Sequence, residues 1–306
     1  REAKKEGYTC LVDPECEFFL FHTDDNGMPT TKTHEKAGYM DLSPIDLGEN
    51  ARRDMVLTLE EMGYDIESSH HEIAPGQHEI DFEYSGTMET ADKIVTFKTA
   101  VRTIAKRHGL HATFMPKPRA GVNGSGMHVN MMLMKDGKNI FTDKSDELGL
   151  SKEAYAFMAG ILNHIKGMTA ICNPLVNSYK RLAPGFEAPS EITWSSRQRT
   201  ALIRVRYRKE EGTHLELRSP DASSNPYLVL ALCLAAGIDG IEKNMQAPLE
   251  LKRSIRKLTK QEKEELGIDS LPENLSEALK EFKEDSLVQE VLGQNFSKCY
   301  LKAKKE

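Results

Sequence analysis

The chain has 306 residues, of which 39% are apolar and 29% are charged, and its formal net charge at pH 7 is −6. This composition is typical of a folded globular protein, and the acidic balance disfavours nucleic acid and membrane surfaces as partners. The five cysteines form no Cys-x-x-Cys pair, which favours a reducing cytoplasmic compartment over secretion, and the longest apolar run, residues 227–238, is too short to cross a bilayer.

Strand-like and helix-like periodicities alternate along the chain. Apolar residues at every second position predict strands at 8–21, 65–73, 77–84, 110–115, 126–134, 191–195, 201–207 and 213–219. Apolar residues at helical spacing predict helices at 49–63, 87–108, 151–168 and 224–244. Residues 246–306 are rich in Lys and Glu, with helices predicted at 260–266, 275–283, 286–292 and 295–304. This order of elements predicts an α+β fold.

Two pairs of glutamates are candidates for metal ligation. Glu15 and Glu17 stand two residues apart in the first predicted strand, so both carboxylates point to one face and repel each other unless a cation lies between them. Glu72 and Glu79 flank a Pro-Gly turn at 75–76, and a hairpin there would bring both acids to one place. The alternative for the second pair is a solvated polar hairpin without a ligand.

A glycine-rich segment at residues 117–128 leads into a predicted strand. Backbone without side chains can approach an anionic ligand closely, although a glycine-rich loop alone is a weak signal. In the strand that follows, His128, Asn130 and Met132 share one face. A potential metal ligand would therefore lie beside two residues that could flank a nucleotide.

Residues 177–189 form a predicted loop, bounded by Pro and Gly, that carries Arg181 and Glu187. A loop of this kind can close over a site, and the alternative is a surface turn with a weak ion pair. Arginines accumulate further along an otherwise acidic chain, at Arg197, Arg199, Arg204, Arg206, Arg208 and Arg218.

This arginine cluster indicates an anionic ligand. Arg218 shares a strand face with Glu216, so a guanidinium and a potential metal ligand would project into the same cavity. The alternative is cross-strand pairing of arginine with glutamate on a solvated face, which suits Arg206 and Arg208.

Five carboxylates and one histidine together form a candidate ligand set for divalent cations: Glu15, Glu17, Glu72, Glu79, His128 and Glu216. Five carboxylates would compensate two Mg²⁺ or Mn²⁺ ions with about one negative charge to spare, and these cations prefer oxygen-rich ligation. The hypothesis from the residues is a two-metal phosphoryl-transfer site.

The motifs, in this order, resemble the catalytic domain of bacterial-type (class I) glutamine synthetases over nearly the whole chain. The most specific stretches are HHEIAPGQHEIDF, KPRAGVNGSGMH, NPLVNSYKRLAPGFEAP and LELRSPDASSNPYL. The resemblance implies a curved, largely antiparallel sheet flanked by helices, with residues 1–245 as the catalytic α+β domain and residues 246–306 as its helical C-terminal portion. It also implies ATP-dependent ligation of ammonia to L-glutamate through a γ-glutamyl phosphate.

The resemblance assigns a role to each matching residue. One divalent ion would be held by Glu17, Glu72 and Glu79. The second would be held by Glu15, His128 and Glu216. The glutamate substrate would contact Asn123, Gly124, Arg181, Glu187 and Arg218. The nucleotide and its phosphates would contact Glu67, Asn130, Met132, Arg199 and Arg204. The catalytic residues would be Glu187, Arg199 and Arg218, with Glu187 excluding water from the acyl phosphate and accepting a proton from the amine.

Two or three Mg²⁺ or Mn²⁺ ions and ATP are the cofactors that the resemblance implies, and a cytoplasmic homo-oligomer is the implied assembly. Family members form double-ring dodecamers whose active sites are shared between subunits. The resemblance implies that the sequence begins after the N-terminal β-grasp domain usual in the family and stops before the usual C-terminus. We therefore expect this polypeptide alone to be poorly active.

A few positions depart from the family pattern. Met132 stands where a serine is usual, Arg206 where a proline is common and His214 where an arginine is common. These departures leave open a γ-glutamyl ligase that uses another amine, such as a polyamine or ethanolamine. A non-catalytic family member is the third alternative, which the complete ligand set disfavours. Arg256 lies near the position of a tyrosine that some members adenylylate, so we expect that regulation to be absent.

Overall fold

The computed structural model of the protein describes residues 2–33, 35–208 and 212–305. Strands β1 to β10 cover, in chain order, Tyr8–His22, Ile66–His71, Gln77–Phe82, Ser85–Gly86, Leu110–Thr113, Met127–Lys135, Lys138–Asn139, Trp194–Ser195, Ile203–Arg208 and Gly212–Leu217. Helices α1 to α10 cover Glu2–Lys5, Glu49–Glu61, Thr87–Arg107, Lys152–Cys172, Val176–Arg181, Pro226–Glu242, Lys260–Glu265, Leu275–Glu284, Ser286–Leu292 and Gln294–Lys305. A 3-10 turn covers Ile255–Lys257.

The strands form one sheet in the order β2-β3-β1-β6-β10-β9-β8, with β4 and β5 also paired to β1 and β7 paired to β6. Strands β8 and β9 are parallel, and the other pairs are antiparallel. The prediction of an α+β fold with a largely antiparallel sheet is therefore confirmed. None of the described helices is long and apolar enough to cross a membrane.

Strand β1 is the centre of the sheet even though it contains a proline. On one side it pairs with β6 from Tyr8 to Cys16. On the other side β4 pairs as far as Val12 and β3 begins at Glu15, so Pro14 falls between the two partners. A proline is tolerated there because no ladder on that side needs its missing N–H.

One continuous hydrophobic core lies between the sheet and the helices. Phe97 of α3 packs on the sheet, with its ring centroid 6.2 Å from Phe18 and 5.7 Å from Phe82. Phe282 of α8 and Val288 of α9 belong to the same core. The C-terminal helices thus share the core of the preceding residues, while the predicted division at residues 245 and 246 stays a prediction.

Helices α4 and α6 cross at glycines. A Cβ on Gly160 would lie 2.0 Å from the carbonyl oxygen of Ala236, and one on Gly240 would lie 2.1 Å from that of Ala156. Only glycine allows the two backbones to come this close. The crossing fixes the helical layer behind the sheet.

Most predicted elements agree with the structure to within a few residues, but the loop predicted at 177–181 is wrong. Residues Val176–Arg181 form helix α5, and only the residues after it form the loop. A helix of six residues completes fewer than two turns, so it shows no apolar repeat in the sequence. The strand predicted at 191–195 is reduced to Trp194–Ser195, and α1, β4 and β7 were not predicted for the same reason of length.

Candidate active site

The polar face of the sheet results from strand parity and register. Glu15 of β1 lies opposite His128 of β6, and Glu17 lies opposite Glu79 of β3. Residues two positions apart on a strand share a face, so neighbouring strands bring these side chains together. The opposite face of the same strands packs on the core.

The polar face lines a cavity of about 270 Å³ and a smaller adjoining cavity of about 30 Å³. Among the predicted site residues, the larger cavity is lined by Glu15, Glu17, Glu67, Glu72, Glu79, His128, Glu187, Arg199, Arg204 and Arg218. The smaller cavity is lined by Glu17, Glu72, Asn123, Gly124, His128, Arg181, Glu187 and Arg218. Five of these residues line both cavities, so the two spaces share a wall.

Glu15, His128 and Glu216 form one group whose ligand atoms lie within 4.8 Å of one another. His128 Nδ1 is 2.9 Å from Glu15 Oε2 and 3.6 Å from Glu216 Oε1. Burial would raise the pKa of Glu15, but hydrogen bonds from His128 and Asn130 and the charge of Arg206 hold it below its ordinary value. Cationic and amide groups therefore partly compensate this group.

His70, Glu72 and Glu79 form a second group within the same 4.8 Å limit. The ring nitrogens of His70 lie 3.6 Å from Glu72 Oε1 and 3.5 Å from Glu79 Oε1. Burial and the charge of Glu17 raise the pKa of Glu72 to about 8. Burial and the charges of Glu15 and Glu17 raise the pKa of Glu79 well above its ordinary value. A divalent cation would relieve this repulsion.

Glu17 lies between the two groups. Its Oε2 accepts hydrogen bonds from Gln77 Nε2 and from the backbone N–H of Gly126, both at 2.8 Å. Its Oε1 is 3.9 Å from His128 Nε2. Glu17 thus borders both groups, since it lies opposite Glu79 and lines both cavities with Glu72. Its role as a ligand beside Glu72 and Glu79 stays a prediction.

The second group stands on a turn that a buried network holds in place. Glu35 accepts hydrogen bonds from the backbone of Gly76 and from His71 Nε2, the latter at 2.9 Å. His71 Nδ1 in turn lies 2.6 Å from the carbonyl oxygen of Glu72. Gly76 has φ +73°, and a Cβ there would lie 2.9 Å from the carbonyl oxygen of Leu20. The β2–β3 turn therefore has little freedom to move.

Two arginines contact Glu216, and a third packs on an aromatic ring. Arg204 Nη1 lies 3.2 Å from Glu216 Oε2, and Arg218 also donates a hydrogen bond to Glu216. Arg199 stacks over the ring of Tyr39, 5.5 Å from its centroid.

Arg206 lies 2.9 Å from Glu15 of β1, and Arg208 lies 2.7 Å from Glu67 of β2. Neither β1 nor β2 neighbours β9 in the sheet, so both pairs form across the cavity rather than between adjacent strands. Both arginines line the larger cavity. These guanidinium groups therefore face the same space as the carboxylates.

Arg181 reaches the smaller cavity from the last turn of α5. It is 2% exposed, and its guanidinium donates to the carbonyl oxygens of Ser219 at 2.7 Å and Arg218 at 3.0 Å. Gly124 approaches it closely, since a Cβ at that position would lie 3.3 Å from Arg181 Cγ, as well as 2.1 Å from the carbonyl oxygen of Pro116. The local backbone thus fixes the guanidinium beside the glycine-rich segment.

Three of the predicted residues lie beneath the cavity surface. Asn130 Nδ2 donates to Glu15 Oε1 at 3.0 Å, and Glu216 is fully buried. Met132 is buried two residues beyond Asn130 on β6 and is not among the residues that line either cavity. His214 is also buried, and burial together with the charge of Arg206 lowers its pKa to about 3, so it is neutral.

Sequence reasoning missed several residues of this face. The larger cavity is also lined by His70, Asp81 and Tyr39, and Asp13 lies buried beside it, where burial and the charge of Glu67 raise its pKa to about 9. Strand parity could have found three of them, because His70, Asp81 and Asp13 each stand two residues from a predicted ligand. Tyr39 carries no such signal.

The donor set on this face is that of an enzyme that binds divalent cations and phosphates. The family model described as glutamine synthetase, catalytic domain, matches residues 1–306. Glutamine synthetase of Clostridium saccharobutylicum is 61% identical over 303 residues, covering 99% of this chain and 68% of that protein. The Thermus thermophilus glutamine synthetase is 53% identical over 302 residues, covering 98% and 68%.

Two solved structures share the fold over nearly the whole chain. A GmaS/ADP complex in its first conformation has a TM-score of 0.87 and 33% sequence identity, covering 99% of this chain and 70% of that one. GmaS without ligand has a TM-score of 0.86 at 33% identity. The chain belongs to the glutamine synthetase catalytic-domain family.

Proposed function

We propose that the chain provides the catalytic site for ATP-dependent ligation of ammonia to L-glutamate, giving L-glutamine, ADP and phosphate. Family membership supports the reaction, and curated relatives at 50–61% identity carry the name glutamine synthetase. The observation that carries the proposal is the shared wall of the two cavities. It allows a polyphosphate and an amino acid to meet where carboxylates and arginines converge.

Two Mg²⁺ or Mn²⁺ ions fit the donor set, and a third is compatible with the family. Glu15, His128 and Glu216 would hold one ion, and Glu72 and Glu79, with Glu17 or His70, would hold the other. The raised pKa values of Glu72 and Glu79 support this fit, because they indicate that the positive charges of the described residues do not balance these acids and a cation would supply the missing charge. Bound ions would neutralise phosphate oxygens during transfer of the γ-phosphoryl group.

The chain's own residues supply the remaining chemistry. Arg199, Arg204 and Arg218 would contact the phosphates and stabilise the charge that develops as the γ-phosphoryl group passes to the substrate γ-carboxylate. Glu67, which pairs with Arg208 at the edge of the larger cavity, would lie near the nucleotide. These groups position charges and form no covalent bond.

L-glutamate would bind along the wall shared by the two cavities, with its α-carboxylate reaching into the smaller one. Arg181 would pair with its α-carboxylate, and Asn123 and Gly124 would contact it from the glycine-rich segment. Glu187 lines both cavities, so it would shield the acyl phosphate from water and accept a proton from the attacking amine. Ammonia then displaces phosphate from the γ-carbonyl carbon.

A homo-oligomer with active sites shared between subunits and a cytoplasmic location complete the proposal. The chain spans 68% of the length of the curated relatives, which leaves room for the N-terminal domain that the resemblance implies. That domain is expected to contribute to the site of a neighbouring subunit.

The test is phosphate release from ATP and L-glutamate, in a protein that includes the N-terminal domain. Ammonia should be compared with methylamine, ethanolamine and a polyamine at equal concentrations. Release that depends on ammonia and yields glutamine supports the proposal. Release that depends on another amine, with no response to ammonia, would overturn it.

A further inference from the structure

The loop that carries Glu187 is anchored through the preceding residue. Within the described ranges no hydrogen bond joins the Glu187 carboxylate to another residue, and its side chain faces both cavities. Phe186, in contrast, is held on its ring and on its carbonyl oxygen. The position of the Glu187 carboxylate therefore depends on what holds Phe186.

Lys117 holds the ring of Phe186. Its Nζ lies 3.1 Å from the ring centroid, which is a close cation–π contact. The same ammonium donates a hydrogen bond to the carbonyl oxygen of Val122. Val122 directly precedes Asn123, and Phe186 directly precedes Glu187. One ammonium thus joins the two segments that face the smaller cavity.

The backbone of Lys117 is fixed from a third segment. Its N–H donates to Asn177 Oδ1 at 2.7 Å, and its carbonyl oxygen accepts from Asn177 Nδ2 at 3.0 Å. Asn177 belongs to α5, the helix that ends with Arg181. Lys117 is accordingly connected to the supports of Asn123, Arg181 and Glu187.

The environment of Lys117 suits a structural cation. Burial and the charge of Arg181 lower its pKa to about 8, so the ammonium is charged at neutral pH, and no carboxylate of the described residues pairs with it. On the solvent side, Arg256 donates to the carbonyl oxygen of Phe186 at 2.6 Å. The loop is therefore held from within by Lys117 and from outside by Arg256.

We propose that Lys117 is a positioning residue for the amino-acid substrate, because its ammonium ties the Asn123 segment to the Glu187 loop. The proposal rests on the proposed function of the smaller cavity and deepens it. Arg256 is a secondary tether of the same loop. Lys117 itself touches neither the reacting atoms nor the cation groups.

The test replaces the ammonium and keeps the length of the side chain, in the protein with its N-terminal domain. Lys117→Met should raise the KM for L-glutamate by about tenfold, since it removes a charged hydrogen bond and a cation–π contact. It should also raise the ratio of phosphate released to glutamine formed, because a loosened loop admits water to the acyl phosphate. The KM for ATP should stay within about twofold, since none of the residues assigned to ATP contacts the Lys117 ammonium.

Lys117→Arg should restore the glutamate KM and the product ratio, because a guanidinium keeps both contacts. Lys180→Met is the matched control, since Lys180 is exposed on α5 next to Arg181 and should change nothing. Arg256→Ala should raise the product ratio less than Lys117→Met.

Two results would overturn the inference: an unchanged glutamate KM and product ratio in Lys117→Met, or equal losses for glutamate and ATP that arginine does not restore. Failure of the proposed function is distinguishable, because then the unmodified protein forms no glutamine from ammonia.

Discussion

Two clusters of buried charge lie in this molecule, and they are balanced differently. In the cavity, Glu72 and Glu79 face Glu17 and other acids, and their pKa values are raised. In the helical layer, His164 of α4 lies 2.8 Å from Asp285 and 3.1 Å from Asp239. The first cluster has an excess of negative charge, whereas the second pairs each acid with a cation.

A second cation, Lys243, balances the charge of the helical cluster. Lys243 Nζ lies 2.7 Å from Asp239 Oδ1, and hydrogen bonds from Lys243 and His164 outweigh burial and lower the pKa of Asp239. Paired charges join α4, α6 and the start of α9. A fold can carry unbalanced buried charge only at a cost in stability, so the imbalance in the cavity points to a ligand that completes it.

The largest effect of a substitution in the cavity cluster is expected at Glu216. This residue is fully buried and contacts His128, Arg204 and Arg218. Glu216→Ala should lower kcat/KM for phosphate release by about 10³-fold, equivalent to about 4 kcal/mol, because a proposed metal ligand is lost and two arginines lose their partner. Glu242→Ala, on the exposed side of α6, is the control and should be silent. A loss under about tenfold would remove Glu216 from the ligand set.

The helical layer should be sensitive to volume rather than to charge. Gly160→Ala places a methyl group 2.0 Å from the carbonyl oxygen of Ala236, so the free energy of unfolding should fall by about 3 kcal/mol. Urea denaturation measures this change. Gly38→Ala, whose added Cβ meets only Asp41 at 3.8 Å, should cost less than about 0.5 kcal/mol. Equal effects of the two substitutions would contradict the tight helix crossing.

Removal of an acid from the cavity should raise the free energy of unfolding, the opposite of the effect of Gly160→Ala. Without metal, Glu79→Gln should raise the free energy of unfolding by about 1–2 kcal/mol, because it removes one of several repelling buried acids. The same variant should lose most of the Mn²⁺-dependent rise in Tm, measured by calorimetry with and without chelator. Glu83→Gln, exposed just beyond β3, should behave as the parent protein. Destabilisation of the metal-free Glu79→Gln protein would contradict the repulsion.

The smallest effect should come from the balanced cluster and should depend on pH. The hydrogen bond to Asp285 is the main cause that raises the pKa of His164 in the folded protein. Its stabilisation is therefore fully present below the unfolded pKa of about 6.5 and is lost as pH rises through the folded pKa. His164→Gln should flatten the decline of Tm above about pH 6.5, with a difference of about 1 kcal/mol or less. A Tm profile identical to that of the parent would contradict the ion-pair role.

Much of the fold followed from periodicity because the elements are long. Helices α3 and α4 have 21 residues each and repeat their apolar positions several times, so their presence could be predicted. Helix α5 has six residues and could not. The residue Arg181 was nevertheless identified, because the family motif carries it independently of the local structure.

The candidate site could be predicted as a set of residue types but not as a set of contacts. Parity on β1 placed Glu15 and Glu17 on one face, and the register of β1 with β3 and β6 brings the other acids to them. Register is a tertiary property, so the approach of His70 on β2 to Glu79 on β3 was not evident. Lys117 was invisible as a support for the same reason, since its partners lie 5 and 69 residues away.

The wall shared by the two cavities affects the order in which cations and the amino acid bind. Glu17 and Glu72 border both cavities, so the carboxylates of an incoming amino acid are repelled by the same negative charges that repel these two acids from each other. Cations that bind first beside Glu17 and Glu72 would neutralise their negative charge and remove this repulsion. Cation binding in the larger cavity should therefore favour binding of the amino acid at the smaller cavity.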